Sequence, residues 1–374
     1  MKLLNSGLMT RRTLGLGVSS LLGAATLNRK QKGTAKNSDL AKHANELLAA
    51  KVKEQKFMGV ALMAVKGHVV FEKAYGSGDL EWDVPNITQS VFRIGSLSKP
   101  FTAAAVAMLA QKGLLKPEDP VVKFVPDLPK GWKSVTLHQL LTHSSGVPNY
   151  TGQPGFWRQV VMRPVTPQEL VSLVRNQPLD FEPGRHWGFS NTNYILLGMV
   201  IEQVARQKYA AFLRQNILDP LDMKDSGYDM PSVILKHRAR GYSISPHGIV
   251  NATYVDMSVP YSAGGLISTA GDLLRFDQAL YSDQLLNATW RERMFSPQVR
   301  TTVDDSSHGY GWFIGRDKGW LQHTHEGGFP GFATMVARYP ETRSTIILLS
   351  NLSTPEIAKI NSGLSALLLG PKSA

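Results

Sequence analysis

In "NSDLAKHANELLAAKVKEQ", Leu40, Ala44, Leu47 and Leu48 recur at spacings that place them on one side of a helix. The next segment, "GVALMAVKGHVVFEKAYG", holds two β-rich runs, Val60–Val65 and His68–Glu72, around Lys66-Gly67, a pair suited to a hairpin turn. "VFRIGS" bridges into an alanine-rich stretch. From Thr102 to Leu115 the apolar positions are again helical, and Gly113 suits a left-handed C-terminal cap. Between about residues 116 and 290, helical segments are separated by Pro/Gly loops. "TPQELVSLVRNQ", "NTNYILLGMVIEQVARQ" and "TAGDLLRFDQALYS" are the clearest, each opening on a Thr or Asn able to cap a helix. Near the end the pattern returns to strands, "YGWFIGRD", "FATMVARYP" and "STIILLSN", before a closing helix, "PEIAKINSGLSALLL".

Strands at both ends and helices between them predict an α/β fold. One antiparallel sheet is built from the two chain ends and flanked by helices, and the largely helical middle is set against it. That arrangement brings Ser96, at the end of the first β region, beside the strands that follow residue 310. No internal repeat is present. The reading is one domain over residues 36–374, with a helical subdomain at about 116–290.

Composition narrows the functional classes. The 374 residues are 43% hydrophobic and 19% charged, enough chain for a sizeable core. With no cysteine, a thiol nucleophile, a disulfide framework and cysteine-ligated metal are all excluded. The formal charge of +12 is concentrated at the start: the first 35 residues carry six Lys/Arg and no Asp/Glu, leaving 35 basic against 29 acidic residues. That remainder is spread without a basic run, so nucleic acid is not an expected partner. Arg11-Arg12 precede an apolar run from Leu14 to Leu27 that is too short to anchor in a bilayer. Residues 1–35 are therefore expected to be a twin-arginine-like export signal, cleaved after Ala25 or Ala35. The expected location is periplasmic or extracellular. No later segment is apolar enough to span a membrane, and the sequence leaves the oligomeric state open.

The candidate chemistry centres on "FRIGSLSKPFTAAAV". Ser96 and Lys99 are three residues apart, which on a helix places them on one face. A serine hydroxyl needs a base to become a nucleophile, and a lysine in a dry pocket loses its proton near neutral pH. Alone, the pair also fits an ordinary helix start with a solvent-facing charge. "HTHEGG" offers His323 and His325 on one strand face, too few ligands for a metal site, and no cofactor is expected. His143 reads as a turn or packing residue. No Gly-x-Ser-x-Gly elbow is present, and "GGLIS" lacks the lysine of a phosphate loop.

Five segments together carry a stronger signal: "FRIGSLSKPFTAAAVAMLAQKGLL", "LLTHSSGVPNY", "FEPGRHWGFSNTNYILLG", "YSAGGLISTAGDLLRF" and "HEGGFPGFATMVARYP". Their order and spacing resemble the serine β-lactamase-like hydrolases, related to penicillin-binding DD-peptidases and class C β-lactamases and including esterases and D-aminopeptidases. The resemblance spans roughly residues 40 to 365. It implies a β-lactamase/transpeptidase-like fold and three motifs. Ser-x-x-Lys falls on Ser96 and Lys99. A Tyr-x-Asn element falls on Phe189-Ser190-Asn191, with Phe189 in place of the phenol that shuttles protons in relatives. A Lys-Thr-Gly-like strand falls on His325-Glu326-Gly327, and the N–H groups of Ser96 and Gly328 would form the oxyanion hole.

The implied function is a serine hydrolase that cleaves an ester or amide of a small-molecule or peptide substrate through an acyl-enzyme on Ser96. Lys99 serves as base, Asn191 holds the lysine and substrate, and His325 assists. Gly327 and Gly328 admit the substrate backbone, and Phe189 lines its path. The alternative is a binding protein on the same fold, because Phe189 keeps the ring and loses the oxygen.

Overall fold

The computed structural model describes residues 38–372. Helix α1, residues 38–53, leads into strands β1 (Gly59–Val65) and β2 (His68–Tyr75). Lys66 and Gly67 between them both take positive φ, 52° and 79°, the geometry of a two-residue hairpin turn that matches strand twist. Helices α2 (Ser98–Gln111), α3 (Asn191–Ala205) and α4 (Ala270–Ala279) follow. The remaining strands are β3 (Val299–Arg300), β4 (Ser307–His308), β5 (Phe313–Asp317), β6 (Trp320–Phe329), β7 (Phe332–Tyr339) and β8 (Ser344–Ser350), and α5 (Ile357–Leu369) closes the chain.

These strands form one antiparallel sheet in the order β3-β4-β5-β6-β7-β8-β1-β2, so the two chain ends meet where β8 pairs with β1. In β8 the side chains alternate. Ile347 and Leu349 join the core that contains residues of α2 and α4, whereas Ile346 and Leu348 join the cluster under α1 and α5. With helices on both faces, "STIILLS" can be buried at every position. Among the described residues, no helix is long and apolar enough to cross a membrane. The export signal expected in residues 1–35 lies outside the described residues.

Several boundaries differ from the sequence reading. Helix α2 starts at Ser98, not Thr102, because the first turn of a helix has no use for the N–H that Pro100 lacks. It stops at Gln111, and Gly113 then takes φ of 72°. In "TPQELVSLVRNQ" only Pro167–Ser172 is α-helical, opened by a reciprocal capping box between Thr166 and Glu169. The middle also contains β structure that helical spacing hid. Leu266–Ser268 pairs with Phe92–Arg93 and Gly227–Tyr228, and Tyr242–Ser245 forms a hairpin with Gly248–Asn251.

Candidate active site

Ser96 sits in a single 3-10 turn, Gly95–Leu97, where the chain leaves the small sheet and enters α2. That turn is held from three directions. Ser98 Oγ donates to the Gly95 carbonyl at 2.8 Å and accepts the Leu266 N–H at 3.1 Å, and Thr334 Oγ1 donates to the Ile94 carbonyl at 2.9 Å. Strand β6 then passes very close to the turn. A Cβ on Gly327 would stand 2.0 Å from the Ile94 carbonyl oxygen and 2.3 Å from Thr334 Oγ1. A Cβ on Gly328 would meet nothing within 4 Å, on the open side facing Ser96. Gly327→Ala is therefore expected to cost about 1–3 kcal/mol or more of stability through overpacking, whereas Gly328→Ala melts with the parent protein. Thermal denaturation of both variants checks the contrast, and equal melting temperatures would remove the steric argument.

Helix α2 is apolar on nearly every side, and Lys99, on its first turn, is fully buried. Its ammonium nitrogen has three neighbours at hydrogen-bond distance: Ser96 Oγ at 2.8 Å, Asn191 Oδ1 at 2.9 Å and the Ala263 carbonyl at 2.9 Å. The amide oxygen and the carbonyl can only accept, so each takes an N–H from the lysine. The third direction points at a hydroxyl, which can donate as readily as accept. When Lys99 is neutral, its lone pair is therefore aimed at the proton of Ser96. Burial lowers the lysine from 10.5 to about 7 by penalising its charged form. The rings of Phe189 and Tyr194 lie 4.9 and 5.6 Å from the nitrogen and complete the dry wall around it.

Asn191 reaches Lys99 because it is excused from capping. The sequence pattern assigned it that task at the start of α3. Instead it is the first helical residue, and its backbone N–H is satisfied by Asn149 Oδ1 at 3.1 Å. Its side chain is thus free for Lys99 and, through Nδ2, Thr151 Oγ1 at 3.3 Å. Ser190, the residue before it, is buried, and its hydroxyl has no protein partner.

Phe189, 38% exposed, lies with its ring between Lys99 and His143, at 4.9 Å from the lysine nitrogen and 4.8 Å from the imidazole. No oxygen replaces the missing phenol among the hydrogen-bond partners of Ser96 and Lys99 in the described residues. His325 is buried beside them without a hydrogen bond to either. Its Nδ1–H donates to the Glu326 carbonyl at 2.7 Å, its Nε2 has no protein partner, and burial together with the Lys99 charge holds the ring far below its usual pKa. It is a neutral neighbour of the pair, not a base in contact with it.

Three further participants were missed from the sequence. The Ala263 carbonyl carried no signal, because a backbone acceptor does not depend on its side chain. Tyr194 lies inside the helical segment of α3 with nothing in the sequence to single it out. His308 packs its ring 5.1 Å from that of His143, and both are kept neutral by burial. His143 itself sits at φ of 58° and accepts the Ser190 N–H and Asn193 Nδ2, so its role is to shape the turn. Among the described residues no group of three His, Asp or Glu converges on a metal position.

Two cavities open on Ser96. The smaller, about 150 Å³, is walled by Tyr150, Phe156, Trp157, Val161, Val255 and Val259, a slot for an apolar side chain. The larger, about 500 Å³, runs past Phe189, Phe313 and His325 toward charged residues of β5 and β6. Ser96 and Gly328 border both, so a carbonyl placed between their N–H groups would extend one arm into each.

The chain is similar to several known proteins. A family described as Beta-lactamase matches residues 44–369. Penicillin-binding protein 4* of Bacillus subtilis (strain 168) is 32% identical over 326 residues, 83% of this chain and 71% of that protein. Among solved structures, an octameric penicillin-binding protein homologue from Pyrococcus abyssi superimposes with a TM-score of 0.79 at 28% identity, over 89% of this chain and 78% of its own. The D-amino acid amidase from Ochrobactrum anthropi SV3, complexed with L-phenylalanine amide, gives 0.79 at 25% identity, over 89% and 98%.

Proposed function

Because the chain belongs to the beta-lactamase family and is a serine hydrolase, we propose that it cleaves an amide or ester through an acyl-enzyme on Ser96. Lys99 is the base. The observation that carries this reading is the buried Lys99 nitrogen 2.8 Å from Ser96 Oγ, with its other two hydrogens committed to Asn191 and Ala263. The hydroxyl proton passes to the neutral amine as Ser96 Oγ bonds to the carbonyl carbon. Negative charge on the carbonyl oxygen is held by the N–H groups of Ser96 and Gly328. The C–N or C–O bond then breaks, and the lysine ammonium returns the proton to the leaving group. Water repeats the sequence on the acyl-enzyme, with Lys99 again accepting the proton, and releases the acid. The apolar slot favours an apolar acyl side chain, in keeping with an amidase among the structural neighbours. The paired arginines before the apolar run in residues 1–35 support an exported enzyme.

Labelling tests the proposal. A fluorophosphonate is expected to add one phosphonyl group per chain, mapped to Ser96 by peptide mass, with loss of fluoride. An unlabelled protein, or a label elsewhere, overturns the reading. A long-lived penicillin adduct without product, together with no turnover of any ester, would favour the binding protein instead, a role the oxygen-free ring of Phe189 could leave behind. Phe189→Tyr adds back a proton carrier beside Lys99. Amide hydrolysis should rise at least about tenfold, with activated esters, whose leaving groups need no proton, changing little. A fall in both rates would mean that the bare ring serves substrate packing.

A further inference from the structure

The larger cavity beside Ser96 carries a charge pattern that the hydrolytic machinery does not use. Glu326 lies two positions before Gly328 on β6, hence on the same face of the strand, and Asp304 borders the same space. Desolvation raises the Glu326 carboxyl above its usual range, and the nearby charge of Asp304 raises it further. The two carboxylates, both exposed, are thus like charges facing one space. Neither forms a salt bridge among the described residues, whereas Asp305 next door is paired with Arg300. Of the other charged residues lining the cavity, Asp317 is paired with Lys318 at 3.3 Å, and Arg316, whose guanidinium donates to the Gly319 carbonyl at 2.7 Å, keeps its positive charge, so the two carboxylates outnumber the one cation. The balance stays negative. His325 does not offset it. The ring is 98% buried and neutral, with Nδ1–H committed to a carbonyl and Nε2 without a protein partner. Phe189 adds an aromatic face, which favours a cation and does nothing for an anion.

We propose that this cavity receives the leaving-group arm of the substrate and selects an arm bearing an ammonium or quaternary ammonium group, with Glu326 and Asp304 determining that preference and rejecting a carboxylate. The inference rests on the acyl-enzyme reading. The arm is assigned to this cavity because Ser96 and Gly328 border both spaces, and the apolar slot on the other side takes the acyl side chain.

Three methylphosphonothiolates test it, with S–CH2–CH2–X arms ending in trimethylammonium, tert-butyl or carboxylate. In each, Ser96 Oγ forms a bond to phosphorus and its proton goes to Lys99. The P–S bond breaks, and the thiolate leaves with the electron pair. The adduct is the same for all three, so intact mass reads the rates directly. Dividing each rate by that probe's rate with hydroxide removes differences in leaving-group acidity. The ammonium probe is expected to label at least about tenfold faster than the tert-butyl probe, and the carboxylate probe slowest. The first ratio should collapse toward one in a Glu326→Gln, Asp304→Asn double variant and at high salt. Equal or reversed rates for the ammonium and tert-butyl probes on the unmodified protein overturn the inference while leaving the acyl-enzyme intact. No labelling by any probe overturns the acyl-enzyme reading itself, and the inference with it. The comparison on the unmodified protein decides the matter even if the double variant fails to fold.

Discussion

Exchanging Ser96 for alanine is expected to lower kcat by on the order of 10⁴- to 10⁶-fold and to abolish fluorophosphonate labelling, with no loss of fold. The reason is local. The hydroxyl makes one side-chain hydrogen bond, to Lys99, and lines open cavity on two sides. The turn that carries it is fixed by Ser98 and Thr334 instead. Ester turnover by the alanine variant at the parent rate, measured with a protein that melts normally, would refute Ser96 as nucleophile.

Replacing Lys99 by methionine should reduce turnover to a similar degree, and it carries a second signature in stability. In the folded protein the lysine is lowered from 10.5 to about 7. Between those values the unfolded chain holds a proton there and the folded chain does not, so stability rises with pH across that window. Below about pH 7 the buried charge costs the fold on the order of 5 kcal/mol, at about 1.4 kcal/mol for each pKa unit; above about 10.5 the cost is gone. Methionine removes the charge but leaves Asn191 Oδ1 and the Ala263 carbonyl without a donor, a loss of roughly 1–3 kcal/mol for each group that does not depend on pH. The melting temperature of the variant relative to the parent is therefore expected to be highest near pH 6 and to fall steadily toward pH 10. In the parent enzyme, kcat/KM should climb tenfold per unit up to about pH 7 and level off above it, since only the neutral amine can accept a proton. A flat stability difference, or activity that falls as pH rises through 7, would mean that Lys99 remains charged and cannot be the base.

The cost at Lys99 explains the burial around it. An ammonium in water would keep its proton at neutral pH, and only a helix apolar on nearly all sides, with aromatic rings on the remaining flank, lowers it enough to act. Function is thus gained at the expense of stability, a cost present below about pH 7 and gone above about 10.5.

Much of this was legible in the residues. The β character of "STIILLSN" and "FATMVARYP" marked strands, helical spacing marked α1 and α3, and the spacing of Ser96 to Lys99 marked a shared helix face. Residue preference and a 3.6-residue period are local properties, which a sequence carries openly. The short strands at Leu266–Ser268 and Tyr242–Ser245 were not legible, because so few residues show no period and their pairing partners lie far away in the chain.

The sequence by itself determined the family, the sheet drawn from both chain ends, and which side chains could meet: Ser96, Lys99, Asn191 and the glycines of β6. What only the tertiary structure decided is their state. That Lys99 is dry, that Asn191 is released from capping by Asn149, and that the third acceptor is the carbonyl of Ala263 all depend on segments far apart in the chain. So does the isolation of His325 from the pair it was expected to assist. Protonation and hydrogen-bond partnership follow from the local dielectric and from geometry to a few tenths of an ångström, and these arise from packing across the chain, which no local pattern encodes.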